Sequence, residues 1–159
     1  MLIGIISDTH DNMPAIHRAV EILTERRVEH VIHAGDFCSP FIFRAFKHLS
    51  CDFTGIYGNS DGERLLLQQL SNSRIFTQPH IFTLAGKKIV IMHEHHVVDA
   101  LADSNHFDLI VYGHTHIPDI RKQGNTLIVN PGELSGWLYG KSTMAIADLS
   151  SLSAELLVL

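Results

Sequence analysis

The chain has little that could cross-link it or carry it into a membrane. It holds two cysteines, Cys38 and Cys51, in 159 residues. That is too few for a disulfide framework, and their spacing is not that of a zinc knuckle. Reduced, partly buried thiols in the cytosol are the expected state. No apolar run approaches the roughly 20 residues of a membrane span. The first such run, Leu2 to Ile6, is too short for a secretory signal and meets Asp8 at once. The expectation is a soluble, cytoplasmic protein with no membrane partner. Basic residues are also scarce: 12 Lys and Arg stand against 17 Asp and Glu, a formal net charge of -5. Duplex-binding proteins present a basic face, so no large nucleic acid is expected as a partner. A small phosphorylated ligand held by a local positive centre stays compatible. With 45% hydrophobic and 18% charged residues, the balance is globular rather than disordered. The length suits one domain over residues 1–159 with a real core.

Histidine is what the chain has in excess. There are 12, and five of them (His93, His95, His96, His114, His116) fall within 24 residues. His17, His30, His48 and His106 read as surface or hydrogen-bonded histidines; clustering sets the others apart. Tyr112-Gly113-His114-Thr115-His116 follows the apolar run Leu109-Ile110-Val111. Two histidines two residues apart in an extended segment put both rings on one side, which suits metal binding. Further candidate ligands each stand just after an apolar run: Asp8 and His10, then Asp36, then Asn59, then His93.

The patterning predicts strands at Leu2 to Ile6, Val31 to Ala34 and Phe53 to Tyr57, alternating with helices. The first helix starts near Asn12 and Pro14 and presents Ile16, Ala19, Val20 and Leu23. A second opens at Ser39-Pro40, and a third runs from Gly62 to Leu70. Such alternation implies parallel strands with crossover helices. Then a hairpin turns at Ala85-Gly86, a short helix covers Val97 to Ala102, and Leu109 to Tyr112 is a buried strand. Antiparallel strands follow around the Gly124-Asn125 turn and again from Thr143 to the end. The expected fold class is a two-sheet α/β sandwich, one sheet parallel-rich and the other mostly antiparallel, with helices outside. Ligands in such folds gather at the carboxyl ends of strands, where all these polar motifs lie.

Singly the motifs are weak. Together, the order D-x-H, G-D, G-N-x-D, H, G-H-x-H resembles the calcineurin-like metallophosphoesterase superfamily. Gly58-Asn59-Ser60-Asp61 and Asn130-Pro131-Gly132 look most like its small single-domain phosphodiesterases, the YfcE type. The resemblance covers roughly residues 1–145. It implies that Asp8, His10, Asp36 and His116 hold one metal and that Asp36, Asn59, His93 and His114 hold a second, with Asp36 bridging. Such imidazole and carboxylate donors suit transition metals, manganese first, with nickel, iron or zinc as alternatives. Two divalent cations, two carboxylates and a bridging hydroxide leave about one positive charge, matched to a small phosphodiester. The implied activity is hydrolysis of such a diester by the bridging hydroxide, with Asp36, Asn59 and His114 in the catalytic centre. The resemblance also admits a homo-oligomer, dimer or tetramer, and a rival reading: a metal-binding but weakly active scaffold, like the retromer subunit of the same fold.

Two positions depart from the family. Many members read G-N-H-D, the histidine protonating the leaving group, where this chain has Ser60. His95 or His96, beside His93, is the expected substitute, with His95 preferred. Glu94 stands where glycine is common, and reads as a solvated side chain rather than a partner for a ligand histidine. Asp61 reads either as a hydrogen-bond acceptor behind the metal ligands or as a cap for the third helix, with the cap preferred. The glycine-bounded loop Gly136-Trp137-Leu138-Tyr139-Gly140 is expected to fold over the sheet, line the cleft or make a subunit contact.

Overall fold

A computed structural model describes residues 1–159 as two mixed sheets stacked face to face, with helices on the outer faces. The first sheet begins with β1 (Leu2–Ile6), β2 (His30–His33) and β3 (Asp52–Ile56), paired in parallel, and β4 (Ile75–Phe76) continues it in parallel. On the other side of β1 lie β10 (Thr143–Asp148) and then β11 (Ser153–Val158), both antiparallel to their neighbours. The second sheet runs β5 (His80–Leu84), β6 (Lys87–Ile91), β7 (Leu109–Val111), β9 (Thr126–Asn130) and β8 (Asp119–Gln123). Its β5–β6 and β8–β9 ladders are antiparallel, while β6–β7 and β7–β9 are parallel. Parallel pairing thus has a larger share in this sheet than the patterning implied. A short apolar run such as Leu109–Val111 shows that a strand is buried, not which way its neighbour runs.

Helices separate the early strands. In α1 (Met13–Glu25) the Asn12 side chain accepts the Ala15 amide, and Ile16, Ala19, Val20 and Leu23 form the buried stripe. Burying each larger side chain of that stripe is worth about 1.5–3 kcal/mol. A 3-10 turn at Pro40–Ile42 leads into α2 (Phe43–Phe46); α3 (Arg64–Leu70) and α4 (Val98–Asp103) complete the set. Strand alternation sorts the core into layers. On β6, Ile89 and Ile91 face Ile3, Ile5 and Ile32 of the first sheet across the inter-sheet layer. Val90 and Met92 face outward to Val98, Ala102 and Phe107. On the other flank α1 packs with Ile6, Val31 and Phe37. Apolar side chains on both faces explain why these strands read as unbroken hydrophobic runs.

Candidate metal centre

The loops after β1, β2, β3, β6 and β7 converge, so donors from both sheets meet. One group holds Asp8, His10, Asp36 and His116. Asp8 Oδ1 lies 3.4 Å from His116 Nε2 and 3.9 Å from His10 Nε2, and His10 Nε2 lies 3.6 Å from Asp36 Oδ2. The other holds Asp36, Asn59, His93 and His114. His93 Nε2 is 3.5 Å from Asp36 Oδ2, and Asn59 Oδ1 is 2.9 Å from His93 Nε2 and 2.8 Å from His114 Nδ1. All seven residues picked from the sequence therefore come together, with Asp36 between the groups. The mouth is a cleft of about 370 Å³, with Trp137 and Leu138 on its wall.

Backbone conformation brings them there. Asp8 (φ 51°), His10 (37°), Asp36 (60°), His114 (68°) and His116 (60°) are all left-handed. Each such residue costs about 1–2 kcal/mol, least for Asn, Asp and His. The segment around His114 is thus a tight loop, not the extended stretch expected from its two-residue spacing. Its two rings serve different groups. Glycines make room for the approach. A Cβ on Gly58 would sit 2.2 Å from Asp36 Oδ1, and one on Gly113 would sit 2.0 Å from Ser7 Oγ and 2.9 Å from Asp8 Oδ2.

The surroundings orient the rings. His93 Nδ1 donates to the Ala34 carbonyl at 2.8 Å, which leaves Nε2 for the centre. His116 Nδ1 donates to Glu133 Oε2 at 3.0 Å, and His10 Nδ1 lies 3.1 Å from Cys38 Sγ. Ser60 does not stand free: its amide and hydroxyl donate to the two oxygens of Asp36, at 2.8 and 3.0 Å. Burial opposes ionisation of Asp36, yet His93 and these Ser60 bonds hold its carboxyl well below the usual range. Burial raises the carboxyl of Asp8. Against the same desolvation, Asp36 raises the imidazole of His93.

This donor set fits metal ions. Asp8 is fully buried, and its Oδ1 has no hydrogen-bond partner. A buried, unpartnered carboxylate oxygen is costly. Here it faces two imidazole nitrogens that are themselves only 3.4 Å apart. His93 Nε2 and Asn59 Oδ1 likewise face each other lone pair to lone pair when His93 carries its proton on Nδ1. A cation at the centre of each group would satisfy all of these atoms at once.

Other sequence expectations divide. His95 lies beside the centre, its ring 6.2 Å from that of His114 and nearly parallel. His96 turns away, 4.0 Å from Glu94 at the mouth of an apolar cavity. Glu94 is exposed, as expected. Asp61 is not a helix cap: Glu63 stands at the N-cap of α3, without a side-chain capping bond. Asp61 instead accepts the amides of Gly58, Cys38 and Asp36, at 2.7, 2.8 and 3.3 Å, and ties two ligand loops together. Glu133 was not among the sequence candidates. Its only signal was its place in the loop after Asn130-Pro131-Gly132.

Donors presented by strand-end loops of two stacked mixed sheets define a metallophosphoesterase architecture. The chain belongs to the calcineurin-like phosphoesterase superfamily, whose domain matches residues 1–152. A phosphodiesterase of Methanocaldococcus jannaschii is 38% identical over 154 residues, 93% of each chain. A solved archaeal phosphodiesterase superposes over 100% of both chains, with a TM-score of 0.92 and 37% identity. Vps29 of Entamoeba histolytica, solved with zinc, reaches a TM-score of 0.73 at 17% identity over 100% of this chain and 98% of its own. That likeness shows the fold alone.

Proposed function

We propose that this chain is a dinuclear, metal-dependent phosphodiesterase acting on small phosphodiesters. The buried, unpartnered Asp8 Oδ1 aimed at two imidazoles carries the reading. The 38% identical phosphodiesterase supports the reaction class. Asp8, His10, Asp36 and His116 would hold one divalent ion; Asp36, Asn59, His93 and His114 would hold the other. Manganese suits the set first, then nickel, iron or zinc. Such a pair supplies Lewis acidity toward the phosphoryl oxygens and an ionised water at neutral pH.

The chain's own groups do the rest. Ser60 fixes the Asp36 carboxylate rather than serving as an acid. His114 and Asn59, on the cleft wall, position the substrate phosphate. His95, beside His114, delivers the proton to the leaving oxygen. The unpaired Cys38 and Cys51 suit a reducing cytoplasm. Phe41, Leu65, Leu66 and Leu70, all exposed, suit a homo-oligomer, dimer or tetramer, which sedimentation would reveal.

The test is to strip the protein of metal, restore manganese or nickel, and follow hydrolysis of an activated aryl phosphodiester. Activity that returns with two ions per chain supports the reading. Two bound ions with no turnover under any metal would favour a protein-binding scaffold.

A further inference from the structure

The loop between β9 and β10 holds a carboxylate in an unusual position. Glu133 is 1% exposed, and the basic side chain it pairs with is His116. Burial opposes its charge, but His116 and the Tyr139, Leu138 and Ser135 donors hold it below the ordinary range. Both of its oxygens are engaged, and the partners fall into two sets. Oε2 accepts His116 Nδ1 and Ser135 Oγ, each at 3.0 Å. Oε1 accepts the Tyr139 amide at 2.6 Å and the Leu138 amide at 3.0 Å. The Leu138 amide also reaches Oε2 at 3.1 Å. Trp137, between these anchors and the cleft, donates its indole N–H to the His10 carbonyl at 3.2 Å.

We infer that Glu133 is a positioning residue that couples the ligand His116 to the aromatic loop on the cleft wall. By accepting from Nδ1 it keeps the His116 proton there and presents Nε2 to the ion shared with Asp8. By accepting from Leu138 and Tyr139 it seats Trp137 and Leu138 beside the substrate. One carboxylate thus sets both a ligand's tautomer and the apolar wall, which suits a diester whose organic group lies against an indole. The inference rests on the dinuclear reading.

Glu133→Gln separates the two tasks. A glutamine Oε1 can still accept the Leu138 and Tyr139 amides. Its NH2, in place of Oε2, donates to His116 Nδ1 and moves the ring proton to Nε2. Imidazole 15N NMR of the metal-free protein should show His116 protonated on Nδ1 in the wild type and on Nε2 in Glu133→Gln. Calorimetric titration with manganese should show one of the two ions weakened about 10–100-fold in Glu133→Gln. Trp137 is the sole tryptophan, so its emission reports the loop. It should stay at the wild-type position in Glu133→Gln and shift in Glu133→Ala.

A wild-type His116 protonated on Nε2 overturns the inference even if neither variant folds. So does wild-type manganese affinity in Glu133→Gln, or unchanged Trp137 emission in Glu133→Ala. A wild type that binds no manganese at all overturns the dinuclear reading and this inference with it. Two ions bound without turnover would sink only the catalytic part of that reading and leave the Glu133 result standing.

Discussion

Asp8 combines three unfavourable features at one position of the candidate metal centre. It is left-handed, fully buried, and has one oxygen without a partner. Each of these is unfavourable in the metal-free chain. Asparagine keeps the left-handed tolerance and an oxygen for the His114 amide, which Asp8 Oδ2 accepts at 3.1 Å. Asp8→Asn should therefore raise metal-free stability by about 1–3 kcal/mol, seen as a higher melting temperature in chelator. Elemental analysis should find one ion lost. Asp36→Ala should lose both, because Asp36 faces both groups; retention of two ions would break the ligand assignment. His95 is tested through the leaving group. Removing a general acid costs about 10²–10⁴-fold where the leaving oxygen is a poor one. His95→Ala should impair alkyl diesters that much and spare activated aryl diesters, and an equal loss on both would exclude the acid role.

At the scale of elements, the site depends on how closely strand ends approach. Gly113, just past β7, lies against the β1 loop: a Cβ there would meet Ser7 Oγ at 2.0 Å and the Ala34 carbonyl at 3.1 Å. Gly113→Ala should cost about 1–3 kcal/mol in urea unfolding and weaken metal binding. Gly62→Ala meets only the Cys38 carbonyl at 3.6 Å and should be near neutral. The strands and the candidate donors were legible because each candidate directly follows an apolar run. That signal is local, and the structure brings together the side chains that follow β1, β2, β3, β6 and β7. What was missed is tertiary. Asp61 reads locally as a helix cap, but its partners are amides at Cys38 and Gly58. Glu133 meets His116, 17 residues away in sequence, and no periodicity marks that pairing. The left-handed turn at His114 replaced the expected extended segment because backbone sign is invisible in a histidine's identity.

For the whole molecule, folding, protonation and metal binding are linked. Desolvation holds the buried His33 imidazole down to about 3, from an ordinary 6.5. It stays neutral between Gly35 N, which donates to its Nδ1, and Thr9 Oγ1 at its Nε2. Between these values the unfolded chain takes a proton that the folded one refuses. Stability contributed by this group is intact above about 6.5 and falls as pH drops, by about 1.4 kcal/mol per unit. Urea unfolding at pH 7 and 5.5 in chelator should show a shallower decline for His33→Gln than for wild type; equal declines would contradict this. Metal acts in the opposite sense. Ions that bind only the folded chain stabilise it by about 2.7 kcal/mol each at 100 times their dissociation constant. Added manganese should thus raise the melting temperature, and chelator should reverse the rise.

The amides of Leu134 and Ser135 donate to the carbonyls of Ser7 and Asp8, each at 3.0 Å, and β10 pairs directly with β1. The loop that carries Asp8 and His10 is therefore braced by a segment far downstream of every one of the seven donors. Their geometry is complete only once that segment and β10 have emerged from the ribosome. On the dinuclear reading, a chain cut before residue 133 should carry all seven donors and yet bind neither ion with the affinity of the full chain.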